Sequence, residues 1–339
     1  MDESTDELGA DAQLIPRTGS QSGDAHELEI GPQYAGDQPF TARMRLHQSW
    51  YRARVLKAPC GTGPNPTSTT SYGNMLRRED GDRGLNFLSP RILDIAKSRL
   101  ADQRGAVEPF RLLNNMLSSQ PMCFNLFGPL VDDLDFATAA FGALLGPGEV
   151  ARVTQVTFEY APEPKCEYLS DGTAFDAFVT YERPDGGVAF LGIETKLTEP
   201  FSQKRYDGPA YRRWVERSDS PWPSEAWSRV ADIEHNQLWR DQLLAVALLR
   251  HPRSAYTAGR FALVRHPQDR DCAGVVAQYR ALLKDPDESF LDLPLDRVVD
   301  TWQRALPAAC SEWIAGLRLR YLDLGASDEE WRRRGEADA

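Results

Sequence analysis

The sequence predicts an α/β fold in which a helix, three strands, a second helix and a fourth strand build a mixed sheet flanked by helices, with helical additions at both ends. Three observations predict it. The apolar period shortens from about 3.6 residues to about 2 near Arg152. The tetrapeptide Pro184-Asp185-Gly186-Gly187 separates two β-rich runs, as a hairpin turn would. Beyond them a Leu- and Ala-rich helical stretch over 232–250 stops before Pro252, and the short apolar run Phe261-Ala262-Leu263-Val264 follows.

Taken in order, residues 1–38 read as a disordered acidic tail, poor in apolar side chains and rich in Gly, Ser and Asp. The segment Thr41 to Lys57 predicts a helix with a basic face, because Arg43, Arg45, Arg52 and Arg54 interleave with Met44, Leu46, Trp50 and Tyr51. That face either carries solvated charges beside aromatics packed on the core, or it meets phosphates. Residues 59–73, broken by Pro and Gly, predict a loop; its GTGPNPTS lacks the GK[ST] ending of a phosphate cradle. Helices are predicted at 89–104, 109–119 and 129–145, the last two separated by the aromatic run Cys123 to Phe127.

Arg152 to Tyr160 then alternates as a strand, and Thr173–Glu182 and Val188–Leu197 form the hairpin. After the run at Arg260–Arg265, helices are predicted at about 273–284, 295–305 and 308–322. Residues 39–325 are expected to form a single domain with its core at about 109–266, and 326–339 a flexible tail. Residues 200–230 read as a helical insertion placed directly after the third strand. Arg212 and Arg213 fall in it, so it is expected to face the substrate. Trp214, Trp222, Trp227 and Trp239 lie between 210 and 240, where they either pack the core or stack on bases.

Composition excludes several classes. No apolar run approaches the roughly 20 residues of a membrane span. The five cysteines, Cys60, Cys123, Cys166, Cys272 and Cys310, are scattered and without CxxC spacing. Reduced thiols and a cytoplasmic location are therefore expected. The histidines His26, His47, His235, His251 and His266 show no HxH or HxxxH spacing, against a zinc site. There is no GxSxG elbow and no GxGxxG loop. The net charge of −11 looks wrong for a nucleic-acid enzyme, but residues 1–39 hold nine acids and one base. Without them 41 acids face 38 bases, a net of −3, so charge neither favours nor excludes DNA.

The chemistry concentrates on the hairpin. Residues two apart on a strand share a face, so Glu194 and Lys196 point the same way, with Gly192 leaving room beside them. Asp176 is the lone charge in Phe175-Asp176-Ala177-Phe178-Val179. With the turn centred near Asp185, Asp176 and Glu194 stand nine residues to either side and face each other across the hairpin at about 5 Å. Two such carboxylates repel unless a cation joins them, and hard oxygen donors with room for water and phosphate suit Mg²⁺. Lys196 can orient the attacking water or stabilise developing charge. Glu159, on the first strand, is an expected further metal ligand or base. The competing reading is a cross-strand ion network on a solvated sheet face.

The pattern of Asp176 in Thr-Ala-Phe-Asp-Ala-Phe and Glu194-Thr195-Lys196 in Phe-Leu-Gly-Ile-Glu-Thr-Lys resembles the PD-(D/E)XK nuclease superfamily, with Phe175 where the family name has Pro. Ser118-Ser119-Gln120 through Asn125-Leu126-Phe127, and His235 to Arg240, resemble a bacterial restriction-endonuclease-like family within it. The resemblance covers about 110–300. It implies a restriction-endonuclease-like core and a Mg²⁺-dependent nuclease (Mn²⁺ substituting) acting on DNA, with RNA left open, in restriction, phage defence or repair. It also implies that the helix after the E-x-K strand places a polar residue beside the site, with Asn236, Gln237 and Arg240 as candidates. A nuclease-derived module that binds nucleic acid or protein without cutting is the alternative, and a homodimer or a partner protein is left open.

Overall fold

The structure is a computed structural model and describes residues 28–102 and 107–337. Residues 1–27 of the expected acidic tail lie outside the described residues. Residues 28–38 are tied to the body: the carbonyls of Glu29 and Ile30 accept from Arg52, at 2.7 and 3.0 Å, and Asp37 pairs with Arg45.

Helix α1, Pro39–Trp50, continues as a π-helical turn over Tyr51–Val55. Its arginines turn inward. Arg43 reaches Ser327 and Asp328, Arg45 reaches Asp37 and Asn74, and the fully buried Arg52 donates to backbone carbonyls, among them Gly73 at 2.7 Å. The basic face is a set of pins between distant segments, and its charges are committed to the fold.

The predicted loop 59–73 contains part of a small antiparallel pair, β1 Cys60–Thr62 and β2 Ser71–Leu76. Gly61 permits the pairing, since a Cβ there would come within 2.3 Å of the Leu76 carbonyl oxygen. Helix α2, Pro90–Ala101, is capped by Ser89, which accepts from the Ile92 N–H at 3.3 Å. The aromatic run predicted as a break is itself helix α3, Ser119–Phe127, and all its residues except Gln120 are buried. A helix apolar on every side carries no 3.6-residue stripe, so periodicity could not reveal it. Helix α4, Leu134–Leu145, follows.

The sheet runs β3 Arg152–Tyr160, β4 Phe175–Glu182, β5 Val188–Lys196, β6 Ala258–Arg265 and β7 Phe290–Pro294, in that spatial order. β3, β4 and β5 pair antiparallel, whereas β5–β6 and β6–β7 pair parallel. A parallel step needs a crossover. Helix α5, Asn236–Arg250, lies within the segment that supplies it between β5 and β6. Strand β7 was not predicted; it is five residues long, between two helical stretches. Helix α6, Leu295–Ala305, follows β7 directly. The expected α/β architecture, a mixed sheet flanked by helices, is therefore observed.

Alternation along the strands divides the core. Val179, Tyr181, Leu191 and Ile193 pack with α2, α3, α4 and α6 on one face. Phe178, Phe190, Phe261 and Phe290 pack on the other with α5 and with Trp214, Trp222 and Trp239 of the 200–240 region. The tryptophans are core; Trp222 and Trp239 are fully buried. At the C-terminus, residues 328–337 of the expected flexible tail form a helix joined to α1 through Asp328–Arg43 and Glu330–Arg54.

Candidate active site

The hairpin has the predicted register. Ala177 is paired with Ile193, so one step further Asp176 falls level with Glu194. The turn closes through the Gly187 carbonyl, which accepts from the Arg183 N–H at 2.8 Å, with Gly186 at a φ of 84° that favours glycine. At the open end β4 departs from β5, and the Asp176 side chain takes up the freed donor. Its Oδ2 accepts from the Thr195 N–H at 2.8 Å and from the Thr195 hydroxyl at 2.7 Å.

Glu194 and Lys196 are each 7% exposed, so the face they share is covered, not solvated. The Lys196 ammonium lies 3.4 Å from Glu194 Oε1. Gln237, in the first turn of α5, joins the two: its Nε2 donates to Glu194 Oε1 at 2.6 Å, and its Oε1 accepts from Lys196 Nζ at 3.1 Å. The same Oε1 accepts from the Ser202 N–H at 2.9 Å, which anchors the chain leaving β5.

Burial raises the Glu194 carboxyl well above its ordinary value, and the nearby Asp176 raises it further against the pull of Lys196. Asp176 is also raised, by burial, and the two Thr195 hydrogen bonds oppose that. Burial disfavours the Lys196 ammonium, but Glu194, Glu199, Asp176 and Asp241 outweigh it and hold the group above its usual value. The site is thus a protonated lysine beside two carboxyls, Asp176 and Glu194, that resist ionisation. Burial also disfavours the Glu199 carboxylate, but Lys196, the Ser119 N–H and Arg111 outweigh it and hold the group below its usual value.

Gly192 does not leave the room expected of it. The Phe175 ring fills that space, and a Cβ on Gly192 would come within 2.5 Å of the ring. Gly192→Ala must therefore displace Phe175, the immediate neighbour of Asp176, and a stability loss of about 1–3 kcal/mol is expected. Urea denaturation checks this, and an unchanged midpoint would mean that the ring moves freely.

Glu159 stands on β3 between Phe158, paired with Ala177, and Tyr160, paired with Phe175. It is therefore at the level of Asp176, but its φ of 51° is in the left-handed region and interrupts the ladder. Among the described residues no three His, Cys, Asp or Glu side chains come together as a metal cage. The other candidates divide. Asn236 is fully buried and spends its amide on the Tyr206 N–H and carbonyl and on the Ala231 carbonyl. Arg240 lies 4.1 Å over the Tyr206 ring. Arg212 pairs with Glu216 at 2.6 Å, and Arg213 donates to the carbonyls of Glu167 and Tyr168. Of these, only Gln237 contacts Glu194 and Lys196.

Two carboxyls beside the site escaped sequence reasoning. Glu199 accepts from the Ser119 N–H at 2.7 Å, the Ser119 hydroxyl at 3.0 Å and Arg111 at 3.2 Å. Asp241 is 3% exposed, and among the described residues its Oδ2 has no hydrogen-bond partner. Burial pushes it up to about 7. The available signal was its spacing, four residues after Gln237 on one helix face.

A family model described as the PD-(D/E)XK nuclease superfamily matches residues 35–323. Searches of curated proteins and of solved structures find no match. No helix among the described residues is long and apolar enough to cross a membrane.

Proposed function

This chain belongs to the PD-(D/E)XK nuclease superfamily, and from that premise we propose that it is a Mg²⁺-dependent deoxyribonuclease, with Mn²⁺ able to substitute. The observation that carries the reading is the cluster of Asp176 with the buried Glu194 and Lys196, with Gln237 bonded to the last two. Restriction, phage defence and repair are the settings such an activity suits.

The donors fit a hard divalent cation. Asp176 and Glu194 offer carboxylate oxygens from adjacent strands, and Mg²⁺ commonly takes one or two carboxylates and keeps water and phosphate for its other positions. Their raised protonation is the expected mark of ligands awaiting a cation. When bound, such an ion supplies Lewis acidity, lowering the pKa of a water and neutralising charge on the phosphate. Hydrolysis forms a bond from water oxygen to phosphorus and breaks the bond to the leaving sugar oxygen, which takes up a proton through solvent in place of the one the water gives up and leaves as a hydroxyl. Lys196, kept protonated, donates toward the attacking water or a phosphate oxygen and opposes the charge that builds there. Gln237 positions both head groups, and Thr195 holds Asp176 toward Glu194.

Incubating labelled linear, circular and single-stranded DNA with Mg²⁺, with Mn²⁺ and with EDTA tests the activity. Metal-dependent cutting is expected, whereas cutting that survives EDTA would contradict it.

A pH dependence follows. A carboxyl whose folded pKa is raised contributes stability below its unfolded value, and that contribution is lost as pH rises through the folded value. For Asp241 the window runs from about 4, the unfolded value, up to its folded value of about 7. Glu194 and Asp176 act in the same direction. The metal-free protein is therefore expected to lose Tm as pH rises through this range. Mg²⁺, which requires ionised carboxylates, is expected to raise Tm more near pH 8 than near pH 6. Thermal melts check this, and a metal shift independent of pH would contradict it.

A further inference from the structure

Between the β1–β2 pair and the chain leaving β5 lies a cleft of about 610 Å³, within the roughly 300–1,000 Å³ span of small-ligand sites. Thr198 and Glu199, just beyond Lys196, line it, as do Tyr34, Tyr72, Arg45 and Arg111.

Tyr34 is 50% exposed, the one large hydrophobic side chain exposed among the described residues. Its ring is nevertheless held. It meets Tyr72 edge-on at 6.4 Å, and the Arg45 guanidinium lies 5.9 Å from its centroid. Gly36 leaves the ring its place, since a Cβ there would come within 2.8 Å of it. Arg45 is already used by Asp37 and Asn74, so it braces the ring. Arg111 is 42% exposed; it bonds Glu199 and Ser118 through Nη2 and brings a cation to the same cleft. Glu199 faces the cleft too, but its carboxylate is bound by Arg111 and by the Ser119 N–H and hydroxyl. A fixed aromatic plate beside a cation matches the two needs of a single nucleic-acid strand, a surface for a base and a charge for its phosphate. A paired base inside a duplex cannot present its face to Tyr34.

Building on the nuclease reading, we infer that this cleft holds one unpaired nucleotide of a DNA strand, its base stacked on Tyr34 and its phosphate toward Arg111, so that the substrate is single-stranded or frayed DNA. The test measures binding by fluorescence anisotropy in EDTA, with an oligothymidylate and with a blunt duplex as probes. Wild type is expected to prefer the single strand. Tyr34→Ala is expected to weaken single-strand binding about tenfold, while Tyr34→Phe and Tyr34→Trp stay within about twofold of wild type. Arg111→Gln is expected to lower the salt slope by about 0.7. Equal affinity for the two probes, or wild-type binding by Tyr34→Ala, would overturn the inference. Cleavage assays with Mg²⁺ on the same preparations separate the two ideas. A wild type that shows the Tyr34 dependence and never cuts overturns the nuclease reading and leaves the cleft standing. A wild type that cuts while Tyr34→Ala binds normally does the reverse.

Discussion

Lys196→Ala is expected to lower the rate of DNA cleavage by about 10²–10³-fold while leaving the folded protein and its DNA binding in EDTA intact. The ammonium lies 3.4 Å from Glu194 and 3.1 Å from Gln237, and the surrounding carboxyls keep it charged in a covered site. Its removal takes away the donor that opposes charge on the phosphate. It also removes the charge that holds Glu194 down, so the residual activity should require a higher pH than wild type does. Single-turnover rates across pH measure both effects. A variant within about threefold of wild type would remove Lys196 from the chemistry.

Trp239→Ala is expected to cost about 3–5 kcal/mol in urea denaturation. The indole is fully buried, with its centroid 5.6 Å from that of Tyr211 and 5.5 Å from that of Trp227. It sits two residues after Gln237 on α5, so the cavity left behind loosens the helix that supplies the bridge between Glu194 and Lys196. Cleavage should therefore fall along with stability. If Trp239 were instead a platform for bases, stability would hold and only single-strand binding would weaken. Its burial favours the first outcome.

The hairpin and its charges were legible because three local signals agreed: a period of 2, a Pro-Asp-Gly-Gly turn, and lone charges in apolar strands. From these the register follows, and the structure reproduces it. Gln237 was legible only through the family resemblance, as one of three polar candidates on its helix. What was not legible depended on contacts distant in sequence. Gly192 reads as open space until the Phe175 ring is seen against it. The basic face of α1 reads as a surface until Asp328, Asp37 and several carbonyls are folded onto it. Helix α3 lacked a stripe because both its sides are covered; β1 is three residues long, too short for alternation, and β7, Phe290-Leu291-Asp292-Leu293-Pro294, does not alternate strictly in burial. Glu199 and Asp241 read as ordinary charges: the spacing of Asp241 from Gln237 marks a shared helix face, but nothing in the sequence reports its burial or the approach of Glu199 to Ser119 and Arg111.

In the proposed function Asp176 and Glu194 together hold a divalent cation. The most direct test is a Mn²⁺ binding titration of the wild-type protein beside Glu194→Gln and Asp176→Asn, with folding verified for each. The wild type is expected to bind Mn²⁺ at a site that both variants weaken by about 10-fold or more. Binding of equal strength in all three proteins would contradict the claim and return the cluster to a structural ion network.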